Sequence, residues 1–195
     1  DNVTSVTDQN GNSTLYNYDS LNNVSSVQDA NGSITSYSYD ANGNLTSESD
    51  RNGNTTTYTY DALNRLTATH YANGSTVGFA YDANENKTSA TDAKRNATAY
   101  TYDANNRLTR ETFADASSKT YSYDVQGNVL TRTVQNGDVT TYIYDKLNRL
   151  TNRTYPDASN DVFSYDATGR MLTANNASAT ITFTYDNADR LLSET

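Results

Sequence analysis

The chain has 195 residues, 34% of them hydrophobic with tyrosine counted, a mean hydropathy of -0.84, and neither cysteine nor tryptophan. Seventeen tyrosines against four phenylalanines make up much of that apolar fraction, which argues against a thick aliphatic core. A net charge of -9 and a pI near 4.4 repel phosphate backbones and anionic headgroups, so nucleic acid and membrane surfaces are excluded as partners. No stretch has the roughly 18 apolar residues of a spanning helix, and the opening DNVTSVTDQN has no signal-peptide pattern. Without cysteine there is no disulfide framework, thiol nucleophile or cysteine zinc site.

Self-similarity sets the architecture. The dipeptide Tyr-Asp begins at Tyr18, Tyr39, Tyr60, Tyr81, Tyr102, Tyr123, Tyr144 and Tyr165 in steps of 21 residues, and again at Tyr185 after a step of 20. Its aspartates are Asp19, Asp40, Asp61, Asp82, Asp103, Asp124, Asp145, Asp166 and Asp186. These nine pairs are the candidate structural site of the repeat. Two residues before each pair stands a second aromatic, from Tyr16 and Tyr37 to Phe163 and Phe183. Six residues after each tyrosine comes an apolar residue, as at Val24, Leu45, Leu66, Leu108 and Leu150, usually followed by threonine; Lys87 is the exception.

Each unit carries two turn signals. The first is Asp-x-x-Gly/Asn after the tyrosine, as in Asp40-Ala41-Asn42-Gly43 and Asp61-Ala62-Leu63-Asn64. The second lies half a unit away, as in Asp8-Gln9-Asn10-Gly11, Asp29-Ala30-Asn31-Gly32 and Asp50-Arg51-Asn52-Gly53. Aspartate caps a type I turn through backbone N–H groups, and glycine or asparagine accepts the positive φ of the residue that ends it. Between turns remain about six or seven residues rich in Thr, Tyr and Val with period two, which predicts strands. Each unit is therefore read as a β-hairpin.

Strict alternation along Leu66–His70 places Leu66 with Ala68 and His70, and puts Thr67 and Thr69 on the other face. It predicts that the tyrosine pair and the leucine share one face while Glu48, Glu111, Arg132 and Arg153 occupy the opposite one. Equivalent tyrosines in successive hairpins lie roughly 9 to 10 Å apart, so a leucine from the intervening strand fills the gap and the face becomes a Tyr-Leu ladder. This ladder is read as core. Nine hairpins give about 18 strands, and open sheets rarely pass roughly 10 without curling. The predicted fold is all-β: tandem antiparallel hairpin repeats of about 21 residues, one array over residues 1–195, coiling into an extended spiral ribbon or partial shell. A parallel solenoid with one rung per unit is the competitor, and the half-unit turns speak against it.

The units YSYDANGNLTSESDRNGN, YTYDANNRLTRETFADAS and FSYDATGRMLTANNAS resemble the YD repeats of Rhs (rearrangement hotspot) proteins, of wall-associated bacterial proteins, of the BC components of insecticidal Tc toxins and of animal teneurins. The resemblance covers the whole chain. It implies a spiral β-shell, which in Rhs and Tc proteins encloses a C-terminal toxic polypeptide and in teneurins supports cell–cell adhesion, and it implies an extracellular or cell-surface location. Two departures stand out. Asparagine replaces the arginine after the turn at Asn23, Asn44, Asn86 and Asn128, and no segment matching the core and toxin that follow an Rhs shell is present. Val3 stands where Leu45 does, so the chain reads as an excised stretch that starts inside a returning strand.

No residue set earns a catalytic, metal or cofactor assignment. Asp-x-Asn-Gly resembles the start of a calcium loop, but the glutamate that closes such a loop is missing, and turn capping explains the same residues. His70, the one imidazole, occupies a position that elsewhere holds Ser49, Thr91, Thr112 or Thr133. The eleven Asn-x-Ser/Thr triplets, Asn2, Asn12, Asn31 and Asn73 among them, follow from an Asn- and Thr-rich composition. The reading is a non-enzymatic, shell-forming segment whose partners are neighbouring repeats and an enclosed polypeptide of the same parent. Open terminal strands also invite edge-to-edge self-association. The alternative is an adhesive or glycan-binding module using the tyrosine ladder, distinguished by whether solvent reaches that face.

Overall fold

A computed structural model of the chain describes residues 2–195. It holds nineteen strands and, among the described residues, no helix. They divide into two compact units, Asp1–Thr98 and Ala99–Thr195.

The first unit contains β1 (Ser5–Thr7), β2 (Ser13–Tyr18), β3 (Val24–Gln28), β4 (Ile34–Tyr39), β5 (Leu45–Ser49), β6 (Thr55–Tyr60), β7 (Leu66–His70), β8 (Thr76–Tyr81) and β9 (Lys87–Thr91), each antiparallel to the next. The unit boundary falls inside β10 (Ala97–Tyr102). From there the second unit runs through β11 (Leu108–Thr112), β12 (Ser118–Tyr123), β13 (Val129–Thr133), β14 (Val139–Tyr144), β15 (Leu150–Thr154), β16 (Asn160–Tyr165), β17 (Met171–Asn175), β18 (Thr180–Tyr185) and β19 (Leu191–Glu194), again each antiparallel to the next. Threonine, tyrosine and valine suit this half-buried pleat, and Asp/Asn/Gly turns interrupt it every six or seven residues.

Both turn types share one geometry. At Asp40 the backbone N–H donates to Asn44 O (3.0 Å), and Gly43 N–H donates back to Asp40 O (3.1 Å), closing a type I turn with a bulge at its fourth residue. Gly43 has φ +83°, while Asn64, Asn106 and Asn148 reach +61°, +60° and +60°, as the turn reading requires. Glu85 at +69° and Ala116 at +66° hold the same conformation without glycine's freedom or asparagine's tolerance.

The faces differ from strict alternation. Thr59 pairs with Ala68, yet Tyr60 pairs with Leu66, so Thr67 is an extra residue and the register shifts there. The same shift recurs before Tyr39, Tyr102, Tyr123, Tyr144 and Tyr165. Because the bulge inverts parity along the returning strand, Thr69 lies opposite Tyr58. Glu48, Glu111, Arg132 and Arg153 lie opposite Tyr37, Tyr100, Tyr121 and Tyr142. The expectation that these charges occupy the opposite face is thus wrong: they sit on the tyrosine face. His70 falls opposite Thr57 and is exposed.

The expected core is also thinner than the ladder suggested. Among the described residues no hydrophobic side chain is fully buried, and Thr69, 7% exposed, is the one buried residue. The ladder tyrosines and leucines are half-buried in a single layer. Order has to come from polar contacts as much as from apolar area.

Candidate functional site

The side chains of each Tyr-Asp turn join one repeat to the next. At the bottom of this arrangement is the aspartate. Asp40 Oδ1 accepts from Asn42 N and Asn44 N, both 2.9 Å, and its Oδ2 accepts from Asn44 Nδ2 at 2.9 Å. These bonds, led by the Asn44 side chain and then its backbone, hold the Asp40 carboxyl below the usual carboxylate range against the cost of its desolvation. Asp8, Asp50 and Asp92 are lowered in the same way, first by the side chains of Asn12, Asn54 and Asn96. Both carboxylate oxygens of such a turn are committed within the turn, and among the described residues no group of acidic, histidine or cysteine side chains is arranged to hold a metal ion.

Where arginine follows the turn it reaches further. Arg65 Nε donates to Asp61 Oδ2 (2.7 Å), its Nη1 donates to Asp82 O in the next turn (3.0 Å), and its guanidinium lies 4.7 Å from the centroid of the Tyr81 ring. Arg149 repeats this on Asp145, Asp166 O (2.9 Å) and Tyr165 (4.7 Å). A planar cation with a fork of donors satisfies carboxylate, carbonyl and ring together, which asparagine cannot. At Asn44 the amide instead reaches Asn64 Oδ1, 2.8 Å away.

The tyrosine makes the reciprocal link. Tyr60 OH donates to Leu45 O (2.9 Å), Tyr81 OH to Leu66 O (3.0 Å), Tyr123 OH to Leu108 O (2.7 Å) and Tyr165 OH to Leu150 O (2.9 Å), each fifteen residues back in the preceding repeat. Tyr18 OH donates to Val3 O at 2.7 Å, which puts Val3 in the place that Leu45 holds later. Desolvation in this position raises the ionisation of Tyr39, Tyr123 and Tyr144 above the ordinary tyrosine value.

The threonine after the leucine has a role that the repeat pattern left unread. As the extra residue of the bulge, Thr67 donates to Thr59 O (3.1 Å), and Thr109 and Thr151 do likewise to Thr101 O and Ile143 O (3.0 and 3.1 Å). A bulge interrupts the ladder of backbone bonds, and the hydroxyl occupies the carbonyl there.

A second set of polar groups lies at the far end of the tyrosine face. Tyr58 OH reaches Glu48 at 3.4 Å and Tyr121 OH reaches Glu111 at 3.5 Å, while Arg153 pairs with Asp161, which also accepts from Tyr155 OH at 2.8 Å. Parity alone hid these contacts.

Compared with known families, residues 78–192 match the family model described as Teneurin YD-shell, more than half of the chain. The chain belongs to the teneurin YD-shell family. Residues 1–34 and 39–76 of this YD shell match the model described as RHS Repeat. No curated protein matches it. Among solved structures, the YD shell resembles a chain in the crystal structure of TcdB2-TccC3-Cdc42, with TM-score 0.70 and 19% identity over 92% of this chain and 12% of that one. A chain of the Photorhabdus luminescens Tc holotoxin pore, with a mutated TccC3, matches with TM-score 0.53 and 16% identity over 93% of this chain and 13% of that one. The YD shell thus spans about an eighth of the length of the solved chains it matches, and the likeness establishes its fold. It is a structural, shell-forming repeat segment.

Proposed function

We propose that the chain is one array of nine repeats within the wall of a larger bacterial protein, secreted or displayed at the surface. In this reading it is non-enzymatic, and its coiled ribbon encloses a polypeptide of the same parent, a toxin domain by the family resemblance. The nine Tyr-Asp pairs, from Tyr18-Asp19 to Tyr185-Asp186, are its working residues, and their work is mechanical. The observation that supports this is the paired linkage between repeats: the tyrosine hydroxyl bonds backward and the arginine forward. The groups that could otherwise serve chemistry are used to hold neighbours. Limited proteolysis of the full-length parent tests the reading. The enclosed segment should resist a protease that digests the same segment when released, and equal digestion rates in both forms would refute it.

One observation favours a second reading, an adhesive or glycan-binding module: the tyrosine ladder is half-buried, with no second layer closing it among the described residues. Binding on a glycan array that disappears in a folded Tyr58→Ala/Tyr60→Ala variant would establish it in place of the shell.

A further inference from the structure

Between neighbouring hairpins the backbone ladder stops short of the Tyr-Asp end. The register of β3 with β4 ends at Ser26 opposite Ser36, and that of β5 with β6 at Ser47 opposite Thr57, so Val24, Tyr39, Leu45 and Tyr60 lie beyond the last pair. Side chains bridge the gap in two ways. One is the backward bond of the tyrosine hydroxyl. The other runs forward from the residue after the turn, and its form depends on the positive-φ residue of the next turn. An asparagine has a short amide and needs an acceptor side chain there: Asn2 donates to Asn22 (3.0 Å), Asn44 to Asn64 (2.8 Å) and Asn128 to Asn148 (2.9 Å). An arginine needs none, because it takes the next turn's backbone carbonyl. Arg107 and Arg149 do so opposite Gly127 and Gly169, with Nη1 4.0 Å from where a Cβ would stand.

At one joint the partners do not match. Asn23 faces Gly43, which has no side chain to offer, and its amide bonds Asp19 Oδ2 (3.0 Å) within its own turn. The backward bond is missing at the same place. Among the described residues the Tyr39 hydroxyl has no hydrogen-bond partner, whereas Tyr18, Tyr60 and Tyr81 each reach a carbonyl fifteen residues back. Tyr144 also lacks that bond, but there Asn128 supplies the forward one.

We infer that the joint between the Asp19 and Asp40 turns is an opening point built into the first unit, where β3 and β4 part at their Tyr-Asp end before the neighbouring joints do. Such opening breaks no hairpin, since Asp19 and Asp40 keep the bonds that close their own turns. The ribbon can therefore splay here while both repeats stay folded.

The chain has no cysteine, so a single introduced thiol reports on one joint. Val24→Cys and Leu66→Cys place it at equivalent rungs, the second bridged by Arg65 and by Tyr81. Labelling of the 195-residue chain with neutral iodoacetamide, normalised to the rate in urea, follows the open fraction when reclosing is fast. The thiol of Val24→Cys should react about thirtyfold faster than that of Leu66→Cys, the effect of two missing hydrogen bonds. Two separate repairs should each slow it about fivefold, the effect of one bond, and leave the Leu66→Cys rate and the circular dichroism unchanged. Asn23→Arg copies Arg107 opposite Gly127, and Gly43→Asn copies Asn64, at a turn where a Cβ meets nothing within 4 Å. Equal normalised rates at the two rungs, or a Val24→Cys rate that neither repair slows, would overturn the inference.

Discussion

The backward bond from tyrosine to the preceding repeat can be tested with a single oxygen atom. Tyr123→Phe removes the hydroxyl that donates to Leu108 O at 2.7 Å and leaves the ring in the ladder. A net hydrogen bond of this kind contributes about 0.5–1.5 kcal/mol. With a urea m-value of about 2 kcal/mol/M, the midpoint should fall by about 0.5 M with the slope unchanged. Tyr121→Phe is the control. Its hydroxyl meets Glu111 at 3.5 Å, the limit of a bond, so its midpoint should move far less. The variants should also separate at high pH. Desolvation, with Tyr121 adding and Arg107 opposing, raises Tyr123 above its ordinary value near 10. A group raised in the folded state contributes stability that is complete below the unfolded pKa and is lost as pH climbs through the folded one. The parent should therefore lose stability above about pH 10 by an increment that Tyr123→Phe lacks. Equal midpoints for Tyr123→Phe, Tyr121→Phe and the parent in urea-dependent circular dichroism would refute the latch.

Leu108→Ala should cost about 1–2 kcal/mol in the same titration, less than the 2–4 or so of a fully buried site, because the ladder is half-buried. Ala116→Gly should raise stability by about 1 kcal/mol, since alanine is held at φ +66° where it bears a left-handed penalty and glycine does not. Acid should loosen the turns: Asp40 is depressed first by the Asn44 side chain, so its contribution is present above about pH 4 and disappears as pH falls below. Asn44→Ala should shift the Asp40 titration, followed by NMR, toward the ordinary value, and an unchanged titration would remove the side-chain bond as its cause.

Much of this molecule is legible in the sequence because its period is short and its turns are chemically marked. Asp40-Ala41-Asn42-Gly43 states both the hydrogen-bond acceptor and the positive φ that a type I hairpin needs, so the hairpins and the sign of φ at Gly43 and Asn64 follow directly. The faces do not follow, because the bulge at Thr67 adds a residue without any unusual side chain to announce it. A threonine within a Leu-Thr-x-Thr run reads as ordinary alternation, and only the pairing of Tyr60 with Leu66 reveals the inversion that carries Glu48 and Arg153 to the tyrosine side. The arginine after the turn stands in the sequence as a repeat position alone; its pairing with Asp61 and its contacts with Asp82 O and the Tyr81 ring, about seventeen residues on, come from the structure.

The direction of the tyrosine bond has a consequence for synthesis. Tyr60, Tyr81, Tyr123 and Tyr165 each reach a carbonyl that left the ribosome fifteen residues earlier, and each guanidinium waits for a ring that has yet to emerge. Every hairpin is therefore finished by the one translated after it, through short loops whose closure costs little entropy. During translation the growing array holds one incomplete rung, always the newest.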